Sequence, residues 1–124
     1  MLSIAVLHHL STPKRRIQAI AELLRVLKPV DGRLVIFVWA LEQTQSRRKV
    51  DPNQPDVLVP WHTMKTEQGE EYVYKRYYHL FGKEELEALV EQVNEQSLIG
   101  KYKVAVERKG YDRDNWFVIL KKYI

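Results

Sequence analysis

Three segments of the chain carry side chains that could hold or position a reacting group. Arg76 has a forked guanidinium, which can grip a carboxylate or a phosphate. Trp39 ends an apolar segment and offers a flat ring on which another ring could stack. His8 and His9 are adjacent imidazoles, and one of them could position an anionic group. Adjacent side chains diverge and no third ligand is well spaced, so we expect no metal site there.

Each of these residues also has a structural interpretation. Arg76 could lie over neighbouring tyrosines at the surface, Trp39 could pack in the core, and one histidine could pack beneath a helix. Tyr77 and Tyr78 point to opposite faces if their segment is extended, so at most one of them should line a site. The elements that carry these residues therefore decide how they are used.

The first half of the sequence predicts a helix, a turn and a buried strand. Residues 11–13 read Ser-Thr-Pro, a hydroxyl cap followed by proline at the first helical position. Apolar residues then recur at helical spacing up to residue 27. After a turn at residues 30–32, residues 34–40 form a continuous apolar run. Such a run is typical of a strand buried on both faces of a helix-covered sheet.

The second half predicts another helix and two strands. Residues 42–69 are polar and contain three prolines, which indicates a long surface loop. Helical spacing of apolar residues predicts a helix over 83–95, and alternation predicts a strand over 102–106. Residues 110–115 can turn the chain into a final antiparallel strand over 116–120. The predicted fold class is α/β, with a helix-covered sheet that ends in an antiparallel β-hairpin.

Length and composition set further limits. The 124 residues suffice for a single domain over residues 1–124, and 45% apolar with 29% charged residues is an ordinary globular balance. Zero cysteines exclude a disulfide scaffold, a thiolate zinc site and a cysteine nucleophile. The longest apolar run is far shorter than the roughly 20 residues of a membrane span, and no secretory signal is recognisable. We therefore expect no membrane partner and a cytoplasmic location, with the nucleus as a second compartment.

The net charge of +4 comes from 20 basic and 16 acidic side chains, and the basic ones are clustered. Two runs of three basic residues are the candidate RNA-binding residues: Lys14, Arg15, Arg16, Arg47, Arg48 and Lys49. Short basic clusters around a less basic body suit a polyanion such as RNA. Solvated faces of ordinary elements give the same pattern, so charge alone leaves both interpretations open.

Several motifs resemble those of a known enzyme class. Residues 3–10, Ser-Ile-Ala-Val-Leu-His-His-Leu, precede a capped helix, as in class I S-adenosylmethionine-dependent methyltransferases. The segments Val-Trp-Ala-Leu-Glu-Gln at 38–43, Gln-Pro-Asp-Val-Leu-Val-Pro-Trp-His at 54–62 and Arg-Tyr-Tyr-His-Leu-Phe at 76–81 narrow the match. Together they are similar to the eukaryotic tRNA wobble-uridine methyltransferases, including the methyltransferase domain fused to an AlkB-like dioxygenase in animals.

The resemblance implies a fold, a reaction and partners. The fold would be the C-terminal part of a class I, Rossmann-like methyltransferase sheet. The reaction would move a methyl group from S-adenosylmethionine to the carboxylate of wobble 5-carboxymethyluridine in the tRNA anticodon loop, giving 5-methoxycarbonylmethyluridine. Family members also work with a small zinc-binding activator subunit, so the resemblance implies that partner as well.

The resemblance also implies roles for particular residues. Three consecutive residues would pass beside the methionine part of the cofactor: Ser3, Ile4 and Ala5. The expected catalytic residues are His8, His9 and Arg76. A base that leaves the anticodon loop needs a stacking surface, for which the expected residues are Trp39, Tyr77 and Tyr78.

Two features depart from the family pattern. Residues 30–32 read Val-Asp-Gly where the family usually carries paired glycines after Lys-Pro. The match begins inside the family's catalytic domain, and the sequence holds no G-x-G-x-x-G cofactor loop. We therefore expect the C-terminal half of such a domain, inactive alone. One edge of the strand over residues 34–40 should then be bare, and we expect it to be covered by another chain, by a second copy or by a rearranged segment.

Two alternatives remain open at this point. The first is a methyltransferase of the same superfamily that acts on a small carboxylic acid. The second is a non-catalytic binding or scaffold module, which the missing cofactor loop favours for the isolated chain.

Overall fold

The structure, a computed structural model, describes residues 1–44 and 50–124. The elements follow one another as β1 (Leu2–Ile4), a 3-10 turn (Leu7–His9), α1 (Pro13–Val26), β2 (Arg33–Trp39), β3 (Asp56–His62), β4 (Val73–His79), α2 (Glu85–Glu95), β5 (Lys103–Asp112) and β6 (Asn115–Tyr123). Within the described part of the chain, no helix has the length and apolar character needed to cross a membrane.

Four strands form a mixed sheet in the order β1-β2-β6-β5. β1 runs parallel to β2, whereas β6 is antiparallel to both β2 and β5. β3 and β4 form a separate antiparallel pair. The predicted α/β class and the closing antiparallel hairpin are therefore confirmed. The segment predicted as a loop over residues 42–69 contains β3, so that prediction is wrong in part.

Both helices pack on one face of the sheet, where the core lies. Thr12 caps α1 as predicted, because its Oγ1 accepts a hydrogen bond from the Arg15 N–H at 3.2 Å. The core joins the apolar stripes of both helices to alternate strand residues such as Leu34, Ile36 and Leu120.

The opposite face of the sheet is not covered by a helix of the described residues. Leu2 and Ile4 are 69% and 56% exposed there, and the Phe37 ring stacks on Phe117. The side chains of β2 alternate between buried and half-buried. The prediction that this strand is buried on both faces is therefore wrong.

The edge of β2 is covered by the first residues of the chain. Val35 N–H donates to the Met1 carbonyl, and Ala5 N–H donates to the Phe37 carbonyl, each at 3.0 Å. The Met1 amino group reaches the Arg33 carbonyl at 2.9 Å. The prediction of a bare edge on this strand is wrong, because residues 1–5 pair along it. In the four-stranded sheet the edge strands are β1 and β5.

Val30 adopts a backbone conformation that suits glycine better than a β-branched residue. Its φ is 70°, and its N–H donates to the Lys122 carbonyl at 2.9 Å. We expect Val30→Gly to raise the free energy of unfolding by about 0.5–1 kcal/mol. The left-handed conformation costs a non-glycine residue roughly 1–2 kcal/mol, and glycine avoids this cost. Part of the gain is lost because glycine makes the unfolded chain more flexible, so more conformational entropy is lost on folding. Urea denaturation measures the difference.

The matched control for this variant is Asp31→Gly, one residue further along the same turn. Asp31 is not among the described residues with positive φ, so glycine there should leave stability unchanged or lower it. Equal effects at both positions would show that the turn is not strained at Val30.

Candidate active site

Four of the predicted site residues come together where β1 and β2 end. The rings of Trp39 and Tyr78 are stacked, with centroids 4.2 Å apart and an interplanar angle of 9°. The His8 ring lies 5.0 Å from that of Tyr78, and the His9 ring lies 4.4 Å from it. The stack joins the end of β2 to β4, so it ties the β3–β4 hairpin to the main sheet.

His8 lies beneath this stack and supports it. It is 1% exposed, and its Nδ1 accepts a hydrogen bond from the Trp39 backbone N–H at 3.0 Å. Burial, followed by the neighbouring His9, lowers the pKa of His8 to about 4. The ring is therefore neutral near pH 7, with its proton on Nε2. The structure gives His8 a supporting position, and not the substrate-contacting position that was predicted.

His9 is the more accessible of the two histidines. It is exposed, and its Nδ1 lies 3.1 Å from the Tyr77 carbonyl. Because a carbonyl only accepts, Nδ1 carries a proton and donates it to this hydrogen bond, which leaves Nε2 free of that contact. His9 can therefore meet a ligand at this end of the sheet, whereas His8 cannot.

Tyr77 lies on the other face of β4 and belongs to a separate polar network. Its hydroxyl donates to Asp56, which also lies 3.0 Å from Nδ1 of His79. Nε2 of His79 lies 2.5 Å from Glu85 at the start of α2. The prediction that at most one of the two tyrosines lines the site agrees with this geometry. Tyr77 takes part in the network and not in the aromatic stack.

Sequence reasoning missed this network because it missed β3. Asp56 and His79 are opposite each other in the β3–β4 register, which is invisible while residues 42–69 are read as a loop. The hydrogen bond with the Tyr77 hydroxyl, together with His79, holds the pKa of Asp56 below its usual range. Burial and the same carboxylate raise the pKa of Tyr77 to about 12.

His79 gives the fold a pH dependence that begins above the ordinary histidine pKa of 6.5. Burial lowers its pKa, but hydrogen bonds to Glu85 and Asp56 outweigh burial, so its pKa is raised above 6.5. A raised histidine pKa stabilises the fold fully below the unfolded value and loses that contribution as pH rises through the folded value. We expect His79→Gln to flatten the fall in unfolding free energy above about pH 6.5.

Urea denaturation across that pH range tests the expectation, with His62→Gln as the control. His62 is exposed and pairs only with Glu71 among the described residues. If the free energy of unfolding of His79→Gln still falls as steeply above pH 6.5, His79 is not the group that causes this pH dependence.

Arg16 is not the exposed RNA-binding residue that was predicted. It is only 3% exposed, and its Nε donates to the Thr12 carbonyl at 3.3 Å. Its positive charge also lowers the pKa of Asp56, so it acts inside the network. Lys14 and Arg15 are exposed on the first turn of α1. The other predicted cluster lies outside the described residues: Arg47, Arg48 and Lys49.

Arg76 lies away from the aromatic stack. Its guanidinium carbon is 4.1 Å from the ring centroid of Trp61, which is 51% exposed on the neighbouring strand. The structural interpretation of Arg76 named tyrosines, whereas the ring beneath it is a tryptophan. This cation–π contact leaves Arg76 on the outer part of the hairpin.

A cleft of about 700 Å³ opens between the hairpin and the end of β2. This volume is in the range of small-ligand sites. Its walls include the Trp39 side chain, the first half of β3 and the β5–β6 turn, with residues Gln43, Val57, Leu80, Arg113 and Asn115. Sequence reasoning did not single out Arg113, because it is distant from Trp39 along the chain.

The three residues predicted to lie beside the cofactor, Ser3, Ile4 and Ala5, differ in their exposure to solvent. Ser3 is 5% exposed, so its side chain is buried. Ile4 is 56% exposed, and Ala5 is exposed with a φ of 59°, which turns the chain away from the sheet. Ile4 and Ala5 remain available at the end of β1.

The chain is similar to several curated proteins, although no protein-family model matches it. It is 44% identical, over 98% of its length, to the tRNA (carboxymethyluridine(34)-5-O)-methyltransferase of Schizosaccharomyces pombe and covers 55% of that relative. Over the same share it is 32% identical to the alkbh8 tRNA (carboxymethyluridine(34)-5-O)-methyltransferase of Xenopus tropicalis, of which it covers 26%. Across 49% of its length it is 52% identical to the probable tRNA methyltransferase 9B of Mus musculus, of which it covers 12%.

All three relatives are named as methyltransferases. Over 98% of its length the chain is similar to two proteins that are named tRNA (carboxymethyluridine(34)-5-O)-methyltransferases. It spans about half the length of the Schizosaccharomyces pombe relative. The resemblance that the sequence motifs indicated is thereby confirmed.

Proposed function

We propose that this chain is the C-terminal part of a tRNA methyltransferase. The enzyme would transfer a methyl group to the carboxylate of wobble 5-carboxymethyluridine and form 5-methoxycarbonylmethyluridine. The observation that carries the proposal is the 44% identity with a methyltransferase of that name over 98% of the chain. The chain spans about half the length of that relative. The substrate, the activity and the small zinc-binding activator subunit are therefore proposed for the whole protein, and not for this chain by itself.

The proposed fold of the whole domain is a class I, Rossmann-like sheet. A parallel β1–β2 pair followed by the antiparallel β6 and β5 supports this proposal. The uncovered sheet face with Leu2 and Ile4, and the free edge of β1, support it as well. A doubly covered sheet would need further strands and helices on that side, which the unmatched part of the longer relatives is long enough to supply.

S-adenosylmethionine is the proposed methyl donor, and it supplies a methyl group made electrophilic by its sulfonium. Ile4 and Ala5 fit one wall of such a site, because they are exposed and Ala5 turns the backbone away at the end of β1. The sequence holds no Gly-rich loop to cradle the rest of the cofactor. In this proposal Ile4 and Ala5 position the methionine part, and the remaining contacts come from outside the matched half.

Methyl transfer to a carboxylate requires little acid–base catalysis from the protein. A carboxylate has a pKa near 4, so it is ionised near pH 7 and needs no general base. Bound S-adenosylmethionine would supply the methyl group for one carboxylate oxygen, and its sulfur would keep the electron pair of the broken bond. The protein must align the two groups and exclude water. The Trp39–Tyr78 stack offers the flat wall that an extruded uracil needs, and neutral His8 holds Trp39 from behind.

A chimera tests this proposal directly. The chain replaces the matching part of the Schizosaccharomyces pombe enzyme, and methyl-labelled S-adenosylmethionine is offered with an anticodon stem-loop that carries carboxymethyluridine. We expect label in the RNA that mild alkali releases as methanol, because a methyl ester is hydrolysed under conditions that spare methylated bases and riboses. The chain alone is the control and should transfer no label.

Two outcomes would contradict the proposal. Label transferred to a free small carboxylic acid, and not to the stem-loop, would favour a small-acid methyltransferase. A folded chimera that binds the stem-loop but transfers no label would favour a binding or scaffold module.

A further inference from the structure

The cleft beside Trp39 needs a cation if it is to hold a carboxylate. Among the described lining residues, Arg113 is the one that carries a positive charge. Arg76, which the sequence suggested for this task, instead lies over Trp61 on the outer hairpin and does not line the cleft. We propose that Arg113 binds the carboxylate of the wobble nucleoside in this cleft, an inference that rests on the proposed function.

The β5–β6 turn fixes the backbone of Arg113 next to Trp39. Asn115 is the register partner of Trp39 in β6, and its Nδ2 donates to the Arg113 carbonyl at 3.0 Å. Ala40 N–H donates to the Asp114 carbonyl at 2.9 Å, so the turn is bonded to the residue that follows Trp39. These bonds hold the backbone of Arg113 at the wall of the cleft that Trp39 also lines.

The turn itself has an unusual backbone. Arg113 and Asp114 have φ values of 48° and 64°, although neither is glycine. The Asp114 carboxylate stabilises this conformation by accepting hydrogen bonds from Thr44 N–H at 2.8 Å and from the Tyr111 hydroxyl at 2.6 Å. Positive φ at both central residues is the geometry of a two-residue type I′ hairpin turn, which matches the twist of the strands on either side. Here this turn has an arginine, and not a glycine, at its tip.

Arg113 is available for a ligand. It is exposed, and within residues 1–44 and 50–124 no carboxylate is paired with it. By contrast, Arg25 and Arg33 are paired with Glu22 and Glu107. A guanidinium has five donors and is never deprotonated near pH 7. It can therefore orient a carboxylate without giving it a proton, which leaves an oxygen lone pair for the methyl group.

Binding of two anticodon stem-loops to the full chain tests the inference. One RNA carries carboxymethyluridine at the wobble position, and the other carries carbamoylmethyluridine, a neutral group of nearly the same shape. We expect the wild-type chain to prefer the carboxylate. Arg113→Met should weaken binding of the carboxylate RNA by about 10- to 100-fold, because a charged hydrogen bond is lost. It should leave binding of the amide RNA unchanged.

Two further variants sharpen the test. Arg113→Lys should retain part of the preference, because the charge remains but the fork is lost. Arg108→Met is the matched control, since Arg108 is exposed on β5 and does not line the cleft. The near-ultraviolet circular dichroism of each variant checks that the fold is intact.

The outcomes separate this inference from the proposed function. A wild-type chain with no preference, or a preference that survives in Arg113→Met, overturns the role of Arg113 even if the chimera methylates RNA. A preference that depends on Arg113, in a chain whose chimera transfers no methyl group, supports the carboxylate site and contradicts only the methyltransferase proposal.

Discussion

Replacing Trp39 with alanine in the chimera should slow methyl transfer by about 10- to 100-fold without unfolding the protein. Stacking of a base on an aromatic ring contributes about 1–3 kcal/mol, and the Trp39 ring lines the cleft proposed for the uracil. The hydrogen bond that Trp39 gives to His8 comes from the backbone N–H, so the alanine variant can keep it. Initial rates at saturating S-adenosylmethionine measure the effect.

Two variants accompany Trp39→Ala. Trp39→Phe keeps a ring and should retain most of the activity. Trp61→Ala removes a tryptophan that is half-exposed and does not line the cleft, so it should leave the methyl-transfer rate within about twofold of the wild-type rate. Unchanged turnover in Trp39→Ala would contradict a role for Trp39 in substrate binding. It would favour the alternative interpretation, in which Trp39 only packs in the core.

Acid should destabilise the fold through His8. The pKa of His8 is about 4 in the folded chain and 6.5 in the unfolded one. The unfolded state therefore takes up a proton first, so stability falls as pH drops below about 6.5 and levels off near 4. A difference of this size corresponds to about 3 kcal/mol of unfolding free energy. This effect is separate from that of His79, which acts as pH rises above 6.5.

Measurements on His8→Asn isolate this contribution. The asparagine Oδ1 takes the position of Nδ1, so it can accept the Trp39 N–H but cannot titrate. The free energy of unfolding should therefore become nearly flat between about pH 6.5 and 4 apart from the carboxylates. The difference between the wild-type and variant profiles in urea removes the carboxylate background. A wild-type profile that matches the variant would show that His8 is protonated in the fold without cost.

The sequence predicts those elements whose signals are local. Thr12 and Pro13 mark the start of α1 with a side-chain cap and a fixed φ, and no distant contact is needed to recognise them. The apolar run of β2 and the spacing of α2 are local signals of the same kind. The aromatic and histidine side chains that meet at the end of β2 could be proposed because each lies in a recognisable motif.

Features that depend on pairing between distant segments could not be predicted. β3 contains Pro60, a poor strand residue, which is tolerated because β3 pairs on one side only among the described strands. Burial of Arg16 comes from its placement beside the Asp56 network, which α1 alone does not reveal. The choice between Arg76 and Arg113 depends on which turn reaches the cleft, and that is a property of the assembled sheet.

The Trp39–Tyr78 stack has an optical consequence. Two aromatic chromophores in fixed contact couple their electronic transitions, which produces a strong circular dichroism signal in the near ultraviolet. The partners belong to different units, since Trp39 ends a strand of the main sheet and Tyr78 belongs to the hairpin. If that band is lost while the far-ultraviolet spectrum is unchanged, the hairpin has moved away from a sheet that is still folded. The near-ultraviolet band therefore measures how far the cleft is open.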